Sequence, residues 1–234
     1  MEISKRFIHF PIQLLEGFME NHKDCLNNIF RYGVYSLIQD GTVKDIEQFQ
    51  EEWEFGINKE FIPSIFSDGK ILFDSFSGTK FPYTGIHLST LDKNFGPISD
   101  LQKISLLTFL ALKSIIQIKP FQNTKNKLLY ARMAGSPGII DDIPESIMHW
   151  MGSRYRRDKV FLLLEKHYGL VRAYKARGIS YSFTLNQEEL ELALLNRKHE
   201  KSRKSLTVEK RFAKQRAMEK MKEMHQSPSN GIPP

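Results

Sequence analysis

The stretch "SDLQKISLLTFLALKSIIQI", residues 99–118, limits the possible folds more than any other part of the chain. Its only charge between Ile104 and Ile118 is Lys113, and apolar residues fall on every side of a helical projection. A helix of that kind is stable only when other elements wrap it on most faces. It is too short and too interrupted to span a bilayer, and Pro120 stops it. The remaining elements must therefore pack around it. With 234 residues at 41% hydrophobic content, the chain has enough apolar surface to do so.

The elements that follow are legible from their punctuation. "NTKNKLLYARMAG" reads as a helix with Thr124 as N-cap, Leu128, Leu129, Ala131 and Met133 as packing face, and Gly135 as stop. Pro144 opens a short helix through Met151, ended by Gly152. Ser153 then caps a helix to Tyr168, with Val160, Leu163, Leu164 and His167 on one face and Arg154, Arg157 and Phe161 toward another. After Gly169 comes "LVRAYKARGISYSFTL". Ile179, Tyr181, Phe183 and Leu185 alternate with Ser180, Ser182 and Thr184, the period of a half-buried strand in a hairpin. Beyond it, Asn186 and Glu189 form a capping box, and Leu185 and Leu190 are spaced as a hydrophobic staple.

Before residue 99 the pattern is weaker. Leu14, Leu15, Phe18, Cys25, Leu26, Ile29 and Phe30 suggest one or two helices over 12–39. "GTVKDIEQFQEEW" reads as another, with Thr42 as N-cap. "SDGK" reads as a turn joining short strands at Phe61–Phe66 and Ile71–Phe73. Pro82, Gly85, Gly96 and Pro97 mark a loop-rich stretch and a domain boundary near 97. The expected organisation is mainly α (α+β). A helical domain over 1–97 is followed by a second domain over 98–185, a charged helical extension over 186–226 and a disordered tail over 227–234.

Charge divides along the chain. Residues 1–100 hold 9 Lys+Arg against 15 Asp+Glu, a net of −6, whereas residues 101–234 hold 25 against 12, a net of +13. The C-terminal part is suited to a polyanion. Three cations, Arg172, Lys175 and Arg177, crowd around the hairpin turn, and "RYRR" places Arg154, Arg156 and Arg157 at the start of the preceding helix. Lys125 and Lys127 occupy a first helical turn, where the macrodipole disfavours cations. A phosphate docking beside them would offset that cost.

The order of three helices and a two-stranded hairpin over roughly 99–185 resembles a winged helix-turn-helix. The resemblance implies that the last helix enters the major groove and that the hairpin, or wing, lies along the backbone or minor groove. Mapped onto this chain, it puts Arg154, Arg156 and Arg157 on bases or phosphates and Arg172, Lys175 and Arg177 on the wing. Either 144–151 or 154–168 fits as the reading helix. Such domains serve transcription regulators and replication factors of plasmids and other mobile elements. A dimer through the N-terminal domain fits both.

Other classes find less support. Cys25 is the only cysteine, which rules out an intrachain disulfide and any zinc site built on several thiolates. "GSPG" at 135–138 lacks the Gly-Lys-Ser/Thr ending of a phosphate-binding loop, and no HExxH or GxSxG motif occurs. The chain is expected to be a non-enzyme without metal or cofactor, away from membranes, in the cytoplasm. Two competing readings share its electrostatics. RNA binding lacks an aromatic RNP-type strand. The other is a protein-interaction module whose basic half meets an acidic partner. Trp150, Tyr155, Met148 and Met151 read as core residues.

Overall fold

The computed structural model describes residues 7–53, 55–78, 81–175 and 178–226. It is mainly helical, with small antiparallel sheets. The contact network divides it after Leu185, into residues 1–185 and 186–234. The Gly96–Pro97 stretch, expected to separate two domains, lies inside the first of these units.

Within the first unit the apolar helix is the centre. Named α5 in chain order, it runs Asp100–Ile116 and begins with a reciprocal cap: Gln102 N–H donates to Ser99 Oγ (3.3 Å) and Ser99 N–H to Gln102 Oε1 (2.8 Å). Ile104, Leu106, Leu107, Leu110, Ala111 and Leu112 are all fully buried. The helix is wrapped as its composition requires, by elements from both sides of it in sequence.

The N-terminal elements are β1 (Phe7–Pro11), a 3-10 turn (Ile12–Leu15), α1 (His22–Gln39), α2 (Ile46–Trp53), α3 (Ile62–Phe76), β2 (Tyr83–His87) and α4 (Leu88–Phe95). β1 and β2 pair antiparallel, with Ile8 opposite Ile86. Three local expectations are corrected here. Asp45 rather than Thr42 caps α2, its Oδ1 accepting from Gln48 N–H at 2.8 Å. Leu14 and Leu15 sit in the 3-10 turn, not in an α-helix. In place of the two strands expected at Phe61–Phe66 and Ile71–Phe73, Phe61 ends a 3-10 turn and the rest is the single helix α3, with Pro63 in its first turn, where a missing N–H costs nothing. "SDGK" is helical because Gly69 serves a crossing rather than a turn. A Cβ there would stand 2.7 Å from the Arg31 carbonyl oxygen, so only glycine lets α3 lie this close to α1.

On the C-terminal side of α5 come β3 (Gln122–Thr124), α6 (Asn126–Met133), α7 (Glu145–Met151), α8 (Arg154–Tyr168), β4 (Val171–Lys175) and β5 (Gly178–Ser182). The strands form one antiparallel sheet in the order β3–β5–β4. The hairpin thus gains a third strand, and Thr124 belongs to that strand instead of capping α6. The N-cap position falls to Lys125, which makes no side-chain capping bond. Because β5 is the central strand, Ser180 and Ser182, expected on a solvent face, are as fully buried as Tyr181. Ser182 Oγ donates to Pro120 O (2.6 Å) and accepts from the N–H groups of Thr184 and Leu185, which ends the strand. Phe161 of α8 stacks on Tyr181, and Tyr168 stacks on Phe109 of α5, so aromatic pairs join the sheet and both helices. Gly169 closes α8 in the left-handed conformation (φ 65°) that a C-terminal cap needs.

The second unit is α9, Gln187–Gln226. Its capping box is present: Glu189 N–H donates to Asn186 Oδ1 (2.9 Å) and Asn186 N–H to Glu189 Oε2 (2.8 Å). The tail expected over 227–234 lies outside the described residues.

Candidate nucleic-acid interface

The start of α6, the start of α8 and the turn end of the hairpin are drawn together by two links. Thr124, the residue before Lys125, pairs with Ile179 of β5, one residue from the hairpin turn. The Asn123 side chain fills the space beside Gly178, where a Cβ would lie 2.9 Å from Asn123 Oδ1. The second link is Tyr130, one turn beyond Lys127 on α6. Its buried hydroxyl donates to Met151 O (3.1 Å) and accepts from Arg157 Nη1 at 3.4 Å. The first turn of α8 is thereby tied to α6.

The basic residues expected to bind DNA divide into two groups. Lys125, Lys127 and Arg154 are exposed. Arg154 is 90% accessible and only 3.9 Å from Asp158, a spacing that leaves its guanidinium available. Arg156, Arg157 and Arg172 are engaged with the protein. Arg156 donates to His149 O (3.0 Å) and lies against the His149 ring. Arg157 is half-buried on Met151 O and Tyr130. Arg172 is not at the hairpin tip but near the base of β4, opposite Tyr181. Its Nη2 and Nε sit 2.6 and 2.7 Å from Glu165 Oε1, and its guanidinium carbon lies 4.6 Å from the Phe161 ring centre. With its side chain only 14% exposed, Arg172 clamps the sheet to α8. Lys175 closes the hairpin by pairing its backbone with Gly178. Arg177 lies outside the described residues.

The outer face of α8 completes the surface. Val160, Phe161 and Leu164 form its buried side. His167, expected there, is exposed, and Phe161, expected on the opposite face, is buried. The reversal exposes Tyr155, Lys159, Leu162 and Lys166 as one stripe, spaced four, three and four residues apart. Tyr155 is 69% and Leu162 63% exposed. The ammonium of Lys159 lies 4.4 Å from the Tyr155 ring centre, and its hydrogen bond and charge pull the phenol pKa down. Tyr155 is therefore a surface residue, contrary to its core reading. Met148 is likewise exposed and Trp150 half-buried, while Met151 is buried as expected. The stripe was readable from sequence once Phe161 was placed inward, since its members are the helical complement of Val160, Phe161 and Leu164.

Among the described residues, no group of His, Cys, Asp or Glu gathers where it could hold a metal ion. No helix among them is long and apolar enough to cross a membrane. Comparisons with protein-family models, curated proteins and solved structures return no match.

Proposed function

We propose that the chain is a non-enzymatic, duplex-DNA-binding protein that presents the outer face of α8 to the major groove. The observation carrying this reading is the uncovered stripe of Tyr155, Lys159, Leu162 and Lys166, with exposed Arg154 at its start. Fifteen residues give α8 a length of about 22 Å, ample for a groove about 12 Å wide. A polar and aromatic stripe left free on such a helix suits base edges and the thymine methyl group. Lys125 and Lys127, tied to the same region through Thr124 and Tyr130, are placed for flanking phosphates. The third strand, β3, and the order β3–β5–β4 are compatible with the winged-helix reading of the three helices and hairpin.

In this reading α8, rather than α7, is the reading helix. The exposed His149 of α7 is already occupied by Arg156, which leaves α7 as a brace for the first turn of α8. Arg157 and Arg172 are positioning residues, the first holding α8 to α6 and the second holding it to the sheet. A role in transcription regulation or in replication of a mobile element would use the same surface.

Selection from a random duplex pool tests the proposal. The expected result is enrichment of one duplex motif, bound in preference to single-stranded RNA of equal length. Failure to enrich any duplex, or equal affinity for both polymers, would contradict it.

A further inference from the structure

A cavity of about 330 Å³ opens between α4, the start of α5 and the last turns of α8, away from the stripe just described. Its polar lining converges from all three helices. Lys93 of α4 and His167 of α8 contribute basic groups from two walls, and no carboxylate lies among the lining residues.

Local hydrogen bonds determine what the other polar groups can offer. Gln102 Oε1 is taken by the Ser99 cap, which leaves Nε2 as its free donor. Asn94 Nδ2 donates to Thr90 O (2.6 Å), leaving Oδ1 as acceptor, and Ser105 Oγ donates to Leu101 O, leaving its lone pairs. The remaining wall is apolar: Ile98, Leu163 and Tyr168, whose ring is held by its stack on Phe109. A cavity of this size, apolar on one side with a few convergent polar groups on the other, has the form of a small-molecule site.

The geometry points to a binding site for a small organic anion, a carboxylate or phosphate ester with a flat apolar body. The anionic group meets Lys93, His167 and Gln102 Nε2. The body lies along Ile98, Leu163 and Tyr168. This assignment does not depend on DNA binding, because it shares no residue with the stripe or with Lys125, Lys127 and Arg154.

Phenyl phosphate, inorganic phosphate and benzyl alcohol serve as probes of the two halves of the site, titrated calorimetrically into the full chain. Phenyl phosphate should bind saturably at one per chain, at least tenfold more tightly than either other probe. Lys93→Met and His167→Ala should each weaken it at least tenfold, as loss of a hydrogen bond to a charged group implies. Both residues are exposed, so the variants should keep the wild-type melting temperature. A Lys125→Ala, Arg154→Ala protein should bind phenyl phosphate normally, which separates this site from the basic surface. The assignment is overturned if phenyl phosphate does not saturate, if inorganic phosphate binds as tightly, or if the Lys93 and His167 variants bind unchanged.

Discussion

Arg172 separates the two roles a cation can take near a hairpin, and replacing it with alanine gives opposite results for each. In the structure its guanidinium makes two short contacts to Glu165 Oε1, at 2.6 and 2.7 Å, and covers the Phe161 ring at 4.6 Å. Hydrogen bonds to a charged partner contribute about 1.5–3 kcal/mol, and a cation over an aromatic face about 0.5–1 kcal/mol. Glu165 is 35% exposed, so water recovers part of its solvation once the arginine is gone, and the lower end of the range applies. Arg172→Ala should therefore cost about 2 kcal/mol. For a chain of this size that is a fall in melting temperature of roughly 4–8 °C. Arg172→Met, which keeps the stem on Phe161 without the charge, should lose less. Thermal and urea unfolding followed by circular dichroism measure the loss, with the salt dependence of DNA affinity measured on the same protein. The clamp predicts a salt slope like that of the wild type. A change in stability below about 0.5 kcal/mol, together with a slope shallower by about 0.9, would refute it and return Arg172 to the phosphates.

Three further outcomes follow from particular contacts. Gly69→Ala drives a methyl to within 2.7 Å of the Arg31 carbonyl oxygen and should destabilise the chain by about 1–3 kcal/mol in urea titrations; a neutral result would mean that α1 and α3 do not cross this closely. Burial, with Asp24, Glu20 and Glu16 nearby, pushes the Cys25 thiol up to about 11, so native protein at pH 8 should alkylate with iodoacetamide more than 100-fold more slowly than the unfolded chain. Comparable rates would place Cys25 outside the core. Deleting 197–234 removes eleven Lys+Arg and four acids, and should weaken binding to all duplexes alike. Loss of the preferred site with unchanged binding to random DNA would show that the tail reads sequence.

What was legible in the sequence is what local physics fixes. The α5 helix follows from its all-round apolarity, and the start of α9 from the Asn186–Glu189 spacing. The ends of α7 and α8 follow from Pro144, Gly152 and Gly169. What escaped depends on partners far along the chain. β3 is only three residues long and exists because it pairs with β5, some 55 positions away, and the burial of Ser180 and Ser182 follows from that pairing. Gly69 resembles a turn residue until α1 is laid across it. The exposure of the proposed DNA-binding cations was legible in part: Lys125, Lys127 and Arg154 are exposed, as charge alone suggested. Charge could not tell Arg172 from them, because its partner Glu165 is brought near only when β4 folds back along α8. Tyr155 and Lys159 were missed because one misplaced residue, Phe161, rotates the inferred face of the whole helix.

In the proposed interface Lys125, Lys127, Arg154 and, from the edge of the α8 stripe, Lys159 meet DNA phosphates around the reading face. Its most direct test is the salt dependence of affinity, measured by fluorescence anisotropy on a selected duplex with all four residues changed to alanine. Each lost phosphate contact removes about 0.9 from the slope of log K against log salt. The quadruple variant should therefore be shallower by about 3 to 4 units. Its melting temperature should stay close to the wild type, since all four side chains are exposed and the first turn of α6 is relieved of two unfavourable charges. A slope unchanged from wild type in a folded variant would contradict the claim.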